Sequence, residues 1–205
     1  MHRNILTDDQ IKLLPLIRKF SRNYYLVGGT AIALQLGHRR SIDFDLFTQK
    51  RVNSIEISKT IYRAFPKETK TGYQDSEQTH YIIKSVKLTF FHFDFPIPSP
   101  LHFESSIRMP DLLSLAAMKA FALGGRGKWK DYVDLFFILK DHFSIMQIAA
   151  KANDLFGDFF NERLLREQLS YFKNLDDSEP VEFLIPSPSE TEIKSFLTEV
   201  ATQPF

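Results

Sequence analysis

Two aspartates one residue apart, Asp43 and Asp45 in "SIDFDLF", are the side chains of this chain best suited to chemistry. On a strand, side chains alternate between faces, so Ile42, Phe44 and Leu46 point one way and Asp43 and Asp45 the other. Paired carboxylates on one face can share divalent cations, which activate an attacking hydroxyl and stabilise a leaving phosphate. Magnesium suits such a site, because it prefers oxygen ligands and completes its shell with water and substrate phosphates. The same alternation also describes the solvated face of an ordinary amphipathic strand. Upstream, the apolar run "YYLV" stops at Gly28-Gly29-Thr30. Glycines let a backbone approach a phosphate closely. The helix start that follows offers free N–H groups and a positive dipole end, and Thr30 adds a hydroxyl donor. Alone, G-G-T is equally a plain strand-to-helix turn, and no P-loop pattern occurs. The order of glycine turn, short helix and paired aspartates is what sets a triphosphate grip beside a metal site.

Further charges fall in places that need explaining. In "DLLSLAAMKAFAL", Lys119 continues the apolar stripe of Leu112, Leu115 and Ala116, so it either snorkels to water or meets a buried anion such as a phosphate. In "GGRGKWKDYVDL", Arg126, Lys128 and Lys130 form a basic turn, and Asp131 and Asp134 follow on one helix face. Asp131 then orients Lys119 or a substrate hydroxyl, or simply sits in a first turn favoured by the helix dipole. Arg40, in His38-Arg39-Arg40, reaches a phosphate or lies in a solvated loop. His92 and Asp94 alternate on one strand and read more readily as a surface pair than as metal ligands.

The elements that must position these residues can be read from periodicity. Thr7 and Gln10 form a capping-box pattern for a first helix, which Pro15 is expected to kink or break. "YYLV" and "SIDFDLF" read as strands, with "TAIALQLG" a short helix between them ended by Gly37. A helix over 54–65 precedes three strand-like runs at 67–73, 79–85 and 86–95, with a hairpin near Gly72–Asp75. "FPIPSPLHFESSIRMP", with four prolines, reads as a linker. Beyond it the pattern is helical, at 111–123, 128–140, 145–152, 159–172 and 190–198. The class is α+β, with a sheet core over 1–95 and a helical subdomain over 96–205.

Composition narrows the function. The chain has 205 residues, and 26 basic against 25 acidic residues leave it near neutral, which argues against binding nucleic acid mainly by bulk charge. With no cysteine there is neither a disulfide framework nor a thiolate zinc site. The first residues lack a signal-peptide core, and no apolar run is long enough to span a bilayer. A cytoplasmic protein without membrane contact is the expectation.

Taken together, "LVGGTAIALQLGHRRSIDFDLF", "DLLSLAAMKAFALGGRGKWKDYVDLFFIL" and "LSYFKNLDDSEPVEFL" resemble the AbiEii-type nucleotidyltransferases, a toxin-like abortive-infection family of the DNA polymerase β-like superfamily. The resemblance covers about residues 24–185. It implies a minimal nucleotidyltransferase mixed sheet flanked by helices, with a helical subdomain completing the cleft. It also implies a nucleoside triphosphate donor and magnesium or manganese. Gly29 and Thr30, beside Gly28, match the family's phosphate motif, and Asp43 and Asp45 its D-x-D metal motif. Lys119 matches the lysine after the sheet, and Asp131 the acid of the R-x-K-D-x-x-D segment. RNA (transfer RNA included) or a protein as acceptor, and an antitoxin protein as partner, are implied by analogy. One departure stands out: many polymerase β-like enzymes carry a third acid on a later strand, and Thr89 falls there, with Asp94 as the nearest substitute. The alternative function is therefore a weak or inactive module that binds nucleotide or a partner protein without turnover.

Overall fold

The computed structural model describes residues 1–123, 127–173 and 175–204. The chain divides into two compact units, Met1–Asp111 and Leu112–Phe205. The division falls after Asp111 rather than after Phe95, because the proline-rich stretch read as a linker contains a hairpin of the first unit. That hairpin is formed by β6 (Leu101–Phe103) and β7 (Ile107–Met109), turned through Glu104 at positive φ. The three-residue strands carry too little periodicity to be seen among four prolines.

The first unit begins with α1 (Asp8–Arg18), closed by the expected Thr7–Gln10 capping box. Pro15 does not break it: the helix runs three residues past the proline, held by buried Leu13, Leu14, Leu16 and Ile17. Next come β1 (Tyr25–Val27), α2 (Gly28–Leu36), β2 (Phe44–Thr48) and α3 (Ser54–Ala64). Then β3 (Thr69–Gln74), β4 (Gln78–Ile83) and β5 (Val86–His92) follow as a meander. Gly37 ends α2 at φ 72°, the left-handed conformation expected of a helix-terminating glycine. The mixed sheet has the order β1-β2-β5-β4-β3, with β2 and β5 parallel and the other neighbours antiparallel.

Alternation gives this sheet one closed face and one open face. Phe44, Leu46, Tyr81, Ile83, Leu88 and Phe90 are buried on the closed face. There Phe20 and Tyr24 meet the Phe90 ring edge-on, with centroids 4.7 Å and 5.2 Å away. The Tyr81 hydroxyl bonds to Ser58 Oγ of α3 at 2.6 Å. Aromatic edge contacts add about 0.5–1.5 kcal/mol each beyond the area they bury. The other face carries Asp45, Phe47, Gln78, His80, Lys87, Thr89 and Phe91, and it is the face left for function.

The second unit is helical: α4 (Leu112–Leu123), α5 (Trp129–Asp141), α6 (Ile145–Phe156), α7 (Glu162–Leu169) and α8 (Glu190–Ala201). Phe121 of α4 stacks on Phe156 of α6 at 4.3 Å, and Phe136 of α5 meets Phe196 of α8 at 5.2 Å. Buried Arg166 joins Glu162 (2.8 Å) to the carbonyl of Gln203 (2.7 Å), fixing α7 against the end of α8. Among the described residues no helix is long and apolar enough to cross a membrane.

Proline within a helix removes one backbone bond and crowds the preceding turn, at up to ~3 kcal/mol. Pro15 is exposed, so little buried area is lost with its ring. Pro15→Ala is expected to raise the stability of the first unit by about 1–2 kcal/mol, the gain being reduced by the freer unfolded chain. Urea denaturation checks this, and an unchanged or lowered midpoint would refute it.

Candidate active site

The site of the first unit is built on one close approach. Val27 of β1 pairs with Asp45 of β2, and the chain turns into α2 at the next residue, Gly28, with φ 71°. A β-carbon on Gly28 would lie only 2.5 Å from Asp45 Oδ2. Glycine is thus required twice, for the left-handed backbone and for the space the carboxylate occupies. The N-terminus of α2 has no side-chain cap, so its leading N–H groups and dipole favour anionic groups at this end. The glycines form the first turn of the helix itself rather than a loop ahead of it.

Gly29 is constrained in the same manner by a different neighbour. Its absent β-carbon would meet Arg39 Nη2 at 2.6 Å and Ser41 Oγ at 3.1 Å. Arg39 is only 2% exposed, and its Nη1 donates to the carbonyl of Arg40 at 3.0 Å. Arg40, the arginine expected at a phosphate, instead directs Nη1 to the carbonyls of Ile5 and Leu6 at 3.3 Å and 3.4 Å. Arg39 is thus a cation beside the glycine turn. Sequence alone could not choose between adjacent arginines, since the choice depends on which one faces inward.

Thr30 also differs from expectation. It is buried, its hydroxyl donates to the carbonyl of Asp43, and Ser41 Oγ lies 2.9 Å away. Its single proton is committed inside the protein, so Thr30 acts by fixing the segment that carries Asp43. Gln10 assists by donating to the carbonyl of Ser41 at 2.9 Å. Asp43 lies just ahead of β2, and its Oδ1 accepts from the Lys87 backbone N–H at 3.2 Å. The segment carrying Asp43 is thus held from three directions: by α2, by α1 and by β5.

Asp43 and Asp45 are oxygen donors of the kind a hard cation takes, and Gly28 keeps a side chain out of the space beside Asp45. They fit a magnesium or manganese ion that draws its remaining ligands from water and phosphate. Among the described residues no group of three or more acids and histidines forms a metal cluster. Thr89, the residue expected where many relatives carry a third acid, pairs directly with Asp45. Asp94 lies beyond the end of β5 with its carboxylate exposed, 3.4 Å from His92 Nε2. It belongs to a surface ion pair, not to the row that Asp45 starts. His92 Nδ1 lies 2.6 Å from Glu77, and this hydrogen bond holds the imidazole above its ordinary pKa.

In the second unit, Lys119 is buried and its ammonium sits between two carboxylates, Asp131 at 2.7 Å and Asp134 at 2.8 Å. Its buried anions are the protein's own. Asp134, fully buried and one helical turn from Asp131, is an equal member of this cluster that the sequence reading left outside the site. Lys128 and Lys130, of the basic turn, pair with Glu179 at 3.3 Å and 2.9 Å. Arg126 lies outside the described residues.

A mixed sheet with a glycine-started helix after its first strand and a D-x-D at the start of its second defines a nucleotidyltransferase fold. Comparison with known proteins agrees. A family model described as "Nucleotidyl transferase AbiEii toxin, Type IV TA system" matches residues 16–202, and the chain belongs to that family. Among curated proteins it is similar to an uncharacterized protein of Aquifex aeolicus (strain VF5), 33% identical over 129 residues. That match spans 58% of this chain and 59% of the relative. Among solved structures, MenT4, a nucleotidyltransferase toxin from Mycobacterium tuberculosis H37Rv, superimposes with a TM-score of 0.61 at 11% identity, covering 94% of this chain and 81% of that one. JHP933 from Helicobacter pylori gives 0.59 at 18% identity, over 96% and 91% of the two chains. At such identities the likeness is one of fold.

Two outcomes follow from these contacts. Gly28→Ala is expected to destabilise the first unit by about 1–2 kcal/mol for the left-handed backbone alone, with more from the clash. Adding Asp45→Ala should recover the clash part, which a double-mutant cycle in urea measures; strict additivity would refute the close approach. In the second unit, Lys119→Ala leaves two buried carboxylates without their cation. It should destabilise by about 3–5 kcal/mol, as for a broken buried ion pair. Combining Lys119→Met with Asp131→Asn and Asp134→Asn should restore much of that loss; a melting temperature untouched by Lys119→Ala would show that the cluster holds nothing.

Proposed function

We propose that this protein transfers a nucleoside monophosphate from a nucleoside triphosphate to a hydroxyl of RNA, transfer RNA included, or of a protein, as the toxin of a toxin–antitoxin pair. The observation that carries the reading is the carboxylate of Asp45 set against the side-chain-free start of α2, with Asp43 fixed beside it by Thr30 and Lys87. Family membership supports the reaction class and the antitoxin partner.

In this reading the acceptor oxygen attacks the α-phosphorus, the bond to the β-phosphate oxygen breaks, and pyrophosphate leaves with the electron pair. Bound divalent cations supply Lewis acidity toward the phosphate oxygens. Asp43 and Asp45 hold them. The N–H groups of Gly28 and Gly29 and the dipole of α2 receive donor phosphate oxygens, and buried Arg39 keeps that corner positive. The reading gives Asp131 the task of holding Lys119 in place.

The second reading, a module that binds nucleotide without turnover, draws on Thr89 standing beside Asp45 where an acid would hold a further cation. One experiment separates the two. The protein is incubated with each labelled triphosphate, magnesium, and total cellular RNA or protein. Label is expected in a discrete acceptor band, reduced at least 100-fold by Asp45→Asn, the scale on which removing a key charge-stabilising group acts. Triphosphate binding by calorimetry with no labelled acceptor would establish the second reading and overturn the first.

A further inference from the structure

The row that begins at Asp45 does not stop at Thr89. In the ladder register, Val27, Asp45, Thr89 and His80 stand side by side across β1, β2, β5 and β4. Directly paired residues project to the same face, and burial agrees: Phe44, Leu46, Leu88, Phe90, Thr79, Tyr81 and Ile83 are buried opposite. Asp45 and His80 are two strand spacings apart, roughly 10 Å. That gap suits a reacting centre between a carboxylate and an imidazole, with the Thr89 side chain as its floor.

A threonine hydroxyl cannot accept a proton at neutral pH, whereas an imidazole can. We propose that His80 takes the proton from the acceptor hydroxyl as its oxygen attacks the α-phosphorus, filling the place that a third acid would leave to Thr89. The proton passes from the hydroxyl to the imidazole, the new oxygen–phosphorus bond forms, and pyrophosphate leaves as described above. The inference rests on the nucleotidyl-transfer reading.

The surroundings of His80 suit the task. Gly72 of β3 lies alongside, where a β-carbon would sit 3.5 Å from His80 Cβ, so no neighbouring side chain covers the imidazole from that residue. The His80 Nε2 lies 3.2 Å from Gln78 Oε1, which orients the ring and leaves Nδ1 as the other nitrogen. The Tyr73 ring lies 6.2 Å away. The charged groups around it are Lys87 on β5, Asp75 in the β3–β4 turn, Lys70 on β3 and Asp45 on β2. Burial first, and then Lys87, hold its pKa below the ordinary histidine value, against the smaller opposing pull of Asp75. The ring is therefore neutral and able to accept a proton at neutral pH.

The test compares the full chain with His80→Gln. In label transfer, the wild-type rate should fall on the acid side as the imidazole protonates. His80→Gln should lower kcat about 100-fold or more, the usual scale of general-base loss, and abolish the acid limb. Its melting temperature and triphosphate affinity should be unchanged. A variant with wild-type kcat and an intact acid limb would overturn the inference.

A second readout needs no acceptor. The His80 imidazole resonance, assigned by its loss in His80→Gln, is titrated with and without magnesium and each of the four α,β-methylene nucleoside triphosphates. Bound donor charge beside the ring should raise its pKa. Nucleotide that binds but leaves the titration unmoved would overturn the role of His80 and spare the transfer reading. Failure of all four nucleotides to bind would overturn both.

Discussion

The close approach of Asp45 to the start of α2 is the constraint on which the first unit depends. An aspartate beside a helix N-terminus is electrostatically favourable, yet here it is sterically possible only because Gly28 has no side chain and a positive φ. The antiparallel pairing of Val27 with Asp45 brings the two together, and the parallel pairing of Asp45 with Thr89 carries the same face onward. Glycine turn, carboxylate pair and open sheet face are therefore one feature. Shifting β2 by one residue would send Asp45 to the face occupied by Phe44 and Phe90.

The second unit is organised by a different rule. Lys119 has been moved out of water, and its desolvation is offset only by two carboxylates at hydrogen-bond distance. Such a cluster contributes little net stability over an apolar core, but it fixes the rotation of α4 against α5, because any other rotation leaves a charge buried alone. Ala116, Ala117 and Ala120, on the same helix as the lysine, are buried with it.

What could be read beforehand divides along the same physical lines. Local signals were legible: the Thr7 capping box, Gly37 as a helix end, the D-x-D alternation and the helical periodicity after Pro110. The family resemblance rested on those segments, and the family match agrees with it. The proline-rich hairpin was not legible, because three-residue strands leave almost no period to detect. Neither was the inward arginine, which turned out to be Arg39 and not Arg40. Thr30 was expected at a phosphate, but its hydroxyl is used inside the loop. His80 went unnoticed because its neighbours in the row are set by strand pairing, which links residues far apart in the chain.

That pairing also has a consequence for how the molecule comes into being. The β3–β4–β5 meander closes through short turns, the tighter of them at Lys84 with φ 57°. The parallel pairing of β2 with β5 instead joins residues 44 positions apart, as in the bond from Lys87 to Asp43. Loop-closure entropy favours the local hairpins first and delays the distant pair. In that order, the ladder bearing Asp43 and Asp45 is added to a sheet already made. Because β2 precedes the meander in the chain, the two carboxylates are made first and wait for β5 before they can dock. The glycine turn and its carboxylates thus reach their final place only when the longest-range pairing of the sheet closes.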